Sequence, residues 1–170
     1  MNLNDYIRDV PDFPKPGIVF KDITPLLAAP DALNLAIEAM CERAGQLGAT
    51  KILGIESRGF IFGAPMACRM GLPFILARKP GKLPYEKVSI EYALEYGTDT
   101  LEMHVDSVES GDRVAVVDDL LATGGTAEAV CKLIEQQGAE VAGLVVAIEL
   151  DFLNGTQRLA PRPVSSLLKY

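Results

Sequence analysis

Short runs built almost entirely of apolar residues constrain the fold of this chain more than any other feature. Four of them lie at residues 51–55, 74–77, 114–117 and 141–148. A strand that is apolar at nearly every position must be buried on both of its faces, which is typical of parallel sheets. The pattern therefore predicts a central sheet that other elements cover.

Helical patterns separate these runs. Apolar residues recur at spacings of three and four from Asp31 to Gly48, a second helical pattern runs from Phe60 to Met70, and a third closes at Gly138. Strands that alternate with helices of this size form right-handed βαβ units. The sequence thus predicts an α/β fold with a central parallel sheet flanked by helices, and a final strand at residues 164–168.

Two segments fall outside this alternation. The first 25 residues are rich in proline, so we expect no regular structure to run through them. Between residues 82 and 104 the periodicity weakens, and runs at 88–90 and 101–103 indicate antiparallel arms of a long excursion. With about 150 residues per domain as a guide, the 170 residues predict a single domain.

Charge and cysteine content exclude several classes of function. The 16 Lys and Arg against 23 Asp and Glu give a net charge of −7, which argues against a broad nucleic-acid-binding surface. Three widely spaced cysteines favour buried reduced thiols over a disulfide framework or a zinc site. No apolar run reaches the roughly 18 residues of a membrane span, and no signal-peptide pattern opens the chain, so we expect a cytoplasmic protein without a membrane partner.

The most informative stretch lies at residues 114–126. A buried strand delivers Asp118 and Asp119 at its carboxyl end, where open parallel sheets bind ligands. Two glycines flanked by threonines follow at the start of a helix, and they offer N–H groups, hydroxyls and a positive dipole end to an anion. Carboxylates accept hydrogen bonds from sugar hydroxyls, so the pair of features predicts a ribose 5-phosphate ligand. The alternative is that the aspartates only cap a helix and the glycines only make a turn.

At these thirteen positions the sequence resembles the type I phosphoribosyltransferases, whose signature is four apolar residues, two acids, two apolar residues and a small Thr/Gly loop. Segments at 13–27, 56–60, 78–84 and 94–97 resemble the adenine-specific branch of that family, in the same order and spacing. The resemblance covers nearly the whole chain. It implies the type I phosphoribosyltransferase fold, with residues 1–30 as a base-binding hood, residues 79–104 as a flexible loop, and a homodimer.

The resemblance also implies a reaction, with Mg²⁺ as cofactor. A 5-phosphoribosyl group passes from phosphoribosyl pyrophosphate to N9 of adenine, which gives AMP and pyrophosphate in purine salvage. The matched 5-phosphate loop consists of Ala122, Thr123, Gly124, Gly125 and Thr126. Asp118 and Asp119 match the acids that face the ribose and the nearby Mg²⁺, which the substrate carries. The matched pyrophosphate site consists of Ser57, Arg58, Arg78, Lys79 and Lys82.

Catalysis and base selection are assigned by the same resemblance. Glu95 matches a mobile-loop carboxylate that acts as an acid or base at the purine, and Tyr96 is its neighbour. Glu95, Tyr96 and Arg58 are therefore the catalytic candidates. The main chain at Val19 and Lys21 would read the adenine edge, while Phe20 packs against the ring.

Other interpretations stay open for parts of this site. The alternative for Arg58 and for the cations at 78–82 is a solvated surface, and the alternative for Phe20 is an ordinary core aromatic. A sensor that binds phosphoribosyl pyrophosphate and nucleic acid would need a basic face, which the pI of about 4.7 opposes. Hypoxanthine, guanine or xanthine in place of adenine is the remaining alternative.

Overall fold

A computed structural model describes residues 1–93 and 97–170 of the chain. The chain divides into two compact units, residues 1–39 and residues 40–170. The first unit holds a one-turn 3-10 helix (Leu3–Tyr6), strands β1 (Arg8–Pro11) and β2 (Val19–Asp22), helix α1 (Thr24–Ala28) and the start of helix α2 (Pro30–Gln46).

The expectation that no regular structure runs through the first 25 residues is wrong. Strands β1 and β2 pair as an antiparallel hairpin, with Arg8 opposite Asp22 and Pro11 opposite Val19. Proline removes a backbone donor, so it is tolerated at strand ends, in connections and in the first turn of a helix. The prolines of this segment occupy those three kinds of position, which is why they mask the hairpin without preventing it.

The second unit contains the remaining elements. After the end of α2 they are β3 (Lys51–Ile55), α3 (Gly59–Met70), β4 (Phe74–Ala77), β5 (Lys87–Ala93), β6 (Thr98–His104), β7 (Arg113–Leu121), α4 (Gly125–Gln136), β8 (Glu140–Glu149), a 3-10 turn (Asp151–Leu153), α5 (Gly155–Leu159) and β9 (Val164–Lys169). The strands at 51–55 and 74–77 have the predicted bounds, whereas β7 and β8 are longer than predicted. None of the helices in the described ranges has the length and apolar character needed to cross a bilayer.

Five strands form one sheet in the order β4-β3-β7-β8-β9, and every neighbouring pair is parallel. Side chains from its strands and from α4, among them Leu53, Val116, Ile134 and Leu144, are almost fully buried. The predicted α/β fold class with a central parallel sheet is confirmed. The chain leaves β3 towards one sheet edge and β7 towards the other, so a crevice opens between their carboxyl ends, where such sheets bind ligands.

The predicted excursion is a second antiparallel hairpin. Strands β5 and β6 pair from Lys87 opposite His104 to Ala93 opposite Thr98, so its two arms are confirmed and are longer than predicted. Backbone hydrogen bonds of 2.9 and 2.8 Å between Arg78 and Glu102 fix β6 to the end of β4. Glu95 and Tyr96 lie outside the described residues, so their predicted roles stay predictions.

The cysteines differ from one another in exposure. Cys131 lies buried in α4, where burial raises the pKa of its thiol to about 12. Cys41 is half-buried and Cys68 is exposed on α3. The expectation of buried thiols is therefore right for Cys131 and wrong for Cys68.

Candidate active site

A cavity of about 280 Å³ lies at the carboxyl ends of β3 and β7. The loop after β3, the end of β7, the β7–α4 loop and one residue after β4 all contribute to its wall. The predicted site residues that line it are Ser57, Arg58, Lys79, Asp118, Asp119, Ala122, Thr123, Gly124, Gly125 and Thr126. The structure thus brings most of the predicted anion site into a single cavity.

The predicted phosphate loop joins β7 to α4. Gly124 precedes the helix with a φ of +84°, a left-handed conformation that favours glycine. The first N–H groups of an α-helix have no partner inside the helix, and Gly124, the N-cap residue of α4, has no side chain that could cap them. The side chain of Thr123 is exposed beside them. This arrangement suits an anion with several acceptor oxygens.

A residue that sequence reasoning missed supports this loop from α5. A Cβ atom added to Gly155 would lie 2.3 Å from the carbonyl oxygen of Ala122, and one added to Gly124 would lie 2.8 Å from the carbonyl oxygen of Gly155. Arg158, also in α5, forms an ion pair of 2.6 Å with Glu128 of α4. The only local signal for this support is the Asn-Gly pair at 154–155, where Asn154 has a positive φ of 55°.

The two aspartates lie within β7, near its end, and are not placed after it. The backbone N–H of Asp119 donates a 2.8 Å hydrogen bond to Oδ1 of Asp118. Burial, together with repulsion from Asp119, raises the pKa of Asp118 well above its usual value. Burial also raises the pKa of Asp119, although the charge of Arg58 opposes that rise. Burial therefore disfavours the charged form of both carboxyls, and a cation or hydroxyl group that binds them would stabilise it.

Arg58 faces the more buried of these carboxylates. Its Nε lies 3.1 Å from Oδ2 of Asp119, whose side chain is only 2% exposed. The Nε–H group of Arg58 is poorly aligned with Oδ2 of Asp119, and this oxygen accepts no hydrogen bond of good geometry from the described residues. The contact is thus an electrostatic one, and a buried acceptor is left available at the cavity wall.

Close packing of α3 on β7 explains why Arg58 is found there. A Cβ atom added to Gly59, the first residue of α3, would lie 2.5 Å from the carbonyl oxygen of Val117. Only glycine permits that approach. The peptide bond between Glu56 and Ser57, two residues earlier, is cis.

A second residue that sequence reasoning missed, the acidic Glu56, orients the cations after β4. Its Oε2 accepts hydrogen bonds from the backbone N–H of Lys79 (2.8 Å) and from Nε of Arg78 (3.1 Å). Burial raises the pKa of Glu56, but these hydrogen bonds outweigh burial and hold it below its usual value. The charged Glu56 therefore holds Arg78, which together with Lys82 lies outside the residues that line the cavity.

The residues predicted to read the base belong to the first unit. Val19, Phe20 and Lys21 are consecutive in β2. Val19 is exposed, and the ring of Phe20 packs edge to face on Phe13 with 5.2 Å between centroids. Lys21 forms a 2.7 Å ion pair with Asp9.

These features define a class of protein. A five-stranded parallel sheet carries, at the point where its strand order reverses, a helix start suited to phosphate, one buried and one half-buried carboxylate, and two cations. Such a site belongs to an α/β protein that binds a phosphorylated ligand with hydroxyl groups.

Comparison with known proteins gives the family. The model described as "Phosphoribosyl transferase domain" matches residues 23–163. The adenine phosphoribosyltransferase of Maridesulfovibrio salexigens is 53% identical over 169 residues, which is 99% of each chain. The chain therefore belongs to the phosphoribosyl transferase family, and within it to the adenine phosphoribosyltransferases.

Solved structures agree with that assignment. The crystal structure of adenine phosphoribosyltransferase from Thermoanaerobacter pseudethanolicus superposes with a TM-score of 0.95 at 49% identity, covering 99% of this chain and 100% of that chain. The Saccharomyces cerevisiae adenine phosphoribosyltransferase, solved with D-2,5-dideoxy-2,5-imino-altritol 1,6-bisphosphate and adenine, superposes with a TM-score of 0.93 at 36% identity. It covers 98% of this chain and 96% of that chain.

Proposed function

We propose that this chain transfers the 5-phosphoribosyl group of phosphoribosyl pyrophosphate to N9 of adenine, giving AMP and pyrophosphate in purine salvage. The observation that carries the proposal is the single cavity that holds the β7–α4 loop, both aspartates, Arg58 and Lys79. A ligand with a monophosphate at one end, hydroxyls in the middle and a diphosphate at the other end has a partner for each group. The names of the relatives, and the adenine bound to the yeast protein, support adenine as the acceptor.

We assign the 5-phosphate to residues 122–126. The exposed hydroxyl of Thr123 and the first N–H groups of α4 are the donors, and the positive end of the helix dipole adds to their attraction for an anion. The ribose hydroxyls then face Asp118 and Asp119. Hydrogen bonds from those hydroxyls stabilise the charged carboxyls that burial otherwise disfavours.

We assign the diphosphate to Ser57, Arg58 and Lys79. Arg58 lines the cavity, and a guanidinium can fork onto two phosphate oxygens. Arg78 and Lys82 add positive charge beside this pocket, and Glu56 fixes Arg78 in place. Positive charge here stabilises the leaving group as it takes up negative charge.

The aspartates also fit a Mg²⁺ ion that arrives with the substrate. Mg²⁺ is typically held by one or two carboxylates together with substrate phosphates, and Oδ2 of Asp119 is a buried acceptor without a well-oriented hydrogen bond in the described structure. Asp118 and Asp119 would hold the ion directly or through its water shell. When bound, the ion neutralises charge on the diphosphate.

In the reaction, the bond between ribose C1 and the diphosphate oxygen breaks, a bond forms between C1 and N9, and adenine loses a proton. The negative charge of Asp118 and Asp119 stabilises the positive character that C1 acquires as the diphosphate leaves. The purine proton needs an acceptor, and we propose Glu95 for this role, with Tyr96 beside it. Enclosure of the site would also exclude water, which otherwise hydrolyses the activated sugar.

We propose that adenine is read by the main chain at Val19 and Lys21, with Phe20 against the ring. Reading by the main chain agrees with the ion pair that already occupies the Lys21 side chain. A 6-oxo purine would reverse the donor and acceptor pattern and leave a buried acceptor facing another, at a cost of about 1–3 kcal/mol. By family resemblance we further propose a cytoplasmic homodimer.

AMP formation tests the proposal. Phosphoribosyl pyrophosphate is supplied with adenine, hypoxanthine or guanine, each with Mg²⁺ and with a chelator, and the nucleotide product is measured. We expect product from adenine alone, and only with Mg²⁺. Product from hypoxanthine or guanine would refute the base assignment. Retained binding of phosphoribosyl pyrophosphate without product from any base would refute the enzyme and favour a sensor.

A further inference from the structure

Lys79, one of the cations of the predicted pyrophosphate site, is already paired with a carboxylate from outside that site. The ammonium group of Lys79 forms a short ion pair with Oδ2 of Asp99, at the start of β6. Asp99 also accepts a 2.8 Å hydrogen bond from the backbone N–H of Thr100 through its other oxygen, Oδ1. Neither the motifs nor the reaction proposed above gives Asp99 a purpose.

A chain of hydrogen bonds connects Asp99 to the loop at residues 122–126. The hydroxyl of Tyr92 lies 3.2 Å from Oδ2 of Asp99, and the hydroxyl of Thr126 lies 3.4 Å from the hydroxyl of Tyr92. Tyr92 is 8% exposed, so this link is largely shielded from water. Asp99 is thereby held in place from β5 and from the 5-phosphate loop, while Lys79 approaches it from the end of β4.

Lys79 can exchange its ion pair with Asp99 for one with another anion at a small cost in free energy. The side chains of Lys79 and Asp99 are 39% and 29% exposed, and partly exposed ion pairs contribute little net free energy. Burial lowers the pKa of Lys79, but Asp99 outweighs burial and keeps it above its usual value, so the ammonium stays charged. Lys79 lines the cavity and can therefore leave Asp99 for a phosphate oxygen without losing a strong interaction.

We propose that Asp99 is a built-in competitor for Lys79 that weakens diphosphate binding and so favours its release. This inference rests on the proposed function, because it takes Lys79 to be a diphosphate ligand. The diphosphate must displace Asp99 from Lys79, so the free energy of that ion pair is subtracted from the free energy of diphosphate binding. Asp99 is thus a positioning residue, which acts through Lys79 and does not touch the reacting atoms.

The test measures pyrophosphate binding by calorimetry in Mg²⁺ to the unmodified chain, to Asp99→Asn and to Asp99→Ser. Asn keeps the size and hydrogen-bonding capacity of the side chain and removes its charge. Glu91→Gln is the matched control, because it removes one exposed carboxylate from the same hairpin. We expect both Asp99 variants to bind pyrophosphate roughly three- to fivefold more tightly, and the control to change less than about twofold. The KM for phosphoribosyl pyrophosphate should fall in parallel, while the KM for adenine stays the same.

A double-mutant cycle shows whether Asp99 acts through Lys79. In a Lys79→Gln background we expect Asp99→Asn to change the pyrophosphate affinity by less than about twofold, since the contested cation is gone. Unchanged or weaker pyrophosphate binding by both Asp99 variants would refute the role of Asp99 as a competitor for Lys79. The proposed function would remain intact. An equal gain in pyrophosphate affinity with and without Lys79 would show that Asp99 does not act through Lys79. No measurable pyrophosphate binding by the unmodified chain would overturn the anion site itself, and both proposals with it.

Discussion

Replacing Gly155 with alanine tests whether α5 determines the position of the 5-phosphate loop. The added Cβ would lie 2.3 Å from the carbonyl oxygen of Ala122, and real Cβ atoms essentially never approach another atom within 3.0 Å. The loop, α5 or both must therefore move by about 0.7 Å. The φ of Gly155 is not in the left-handed region, so alanine meets this contact and no backbone strain.

Two magnitudes follow from that displacement. Overpacking of this kind costs roughly 1–3 kcal/mol of unfolding free energy, of which the better helix propensity of alanine returns about 0.5–1 kcal/mol. Misplacement of binding groups by about 1 Å can cost 10²-fold in rate. We therefore expect Gly155→Ala to stay folded and to lose roughly 10- to 100-fold in kcat/KM for phosphoribosyl pyrophosphate.

The assay is AMP formation at varied phosphoribosyl pyrophosphate, together with denaturant unfolding of each variant. Gly45→Ala is the matched control, because no atom lies within 4 Å of its added Cβ and its φ is also outside the left-handed region. The Gly45→Ala variant should gain about 0.5–1 kcal/mol in its free energy of unfolding and keep an unchanged kcat/KM for phosphoribosyl pyrophosphate. A Gly155→Ala variant with unchanged kcat/KM would show that α5 does not fix the loop.

Three further substitutions address other parts of the site. Thr123→Val should raise the KM for phosphoribosyl pyrophosphate without unfolding the chain, and unchanged kinetics would show that its hydroxyl is not on the phosphate. Glu95→Gln should lower turnover with little effect on phosphoribosyl pyrophosphate binding, measured by calorimetry, and full turnover would exclude proton transfer by Glu95. Asp118→Asn should stabilise the ligand-free chain near neutral pH, because the raised pKa of Asp118 makes its charged form a cost to the folded state. That gain should vanish as the pH falls to about 3, where the unfolded carboxyl is also mostly protonated, and denaturation at both pH values checks it.

The sheet was predictable because each of its strands has a recognisable pattern within its own few residues. Parallel strands covered on both faces are apolar at nearly every position, and those at 51–55 and 74–77 matched to the residue. The N-terminal hairpin was not predictable in this way, because its strands are only four residues long and prolines interrupt the pattern.

In the site, too, the contiguous motif was predictable, whereas contacts between residues far apart in the sequence were not. The loop at 122–126 and the adjacent acids form a contiguous motif, so their common cavity could be expected. Gly155 and Glu56 act through residues far along the chain, Ala122 and Arg78 respectively, and no local pattern reports such contacts. The ion pair between Asp99 and Lys79 depends on a hairpin register that only the structure gives.

The division of the chain into two units has a consequence for how its specificity can evolve. The residues that line the phosphate cavity run from Ile55 to Val146, whereas the proposed base reader lies at residues 19–21. If the proposed roles hold, substitutions within the first 39 residues alter the choice of base while the groups proposed to bind the activated sugar stay unchanged. Selection for a new nucleobase would act on a short hairpin, and exchanging that hairpin is a practical route to engineering one.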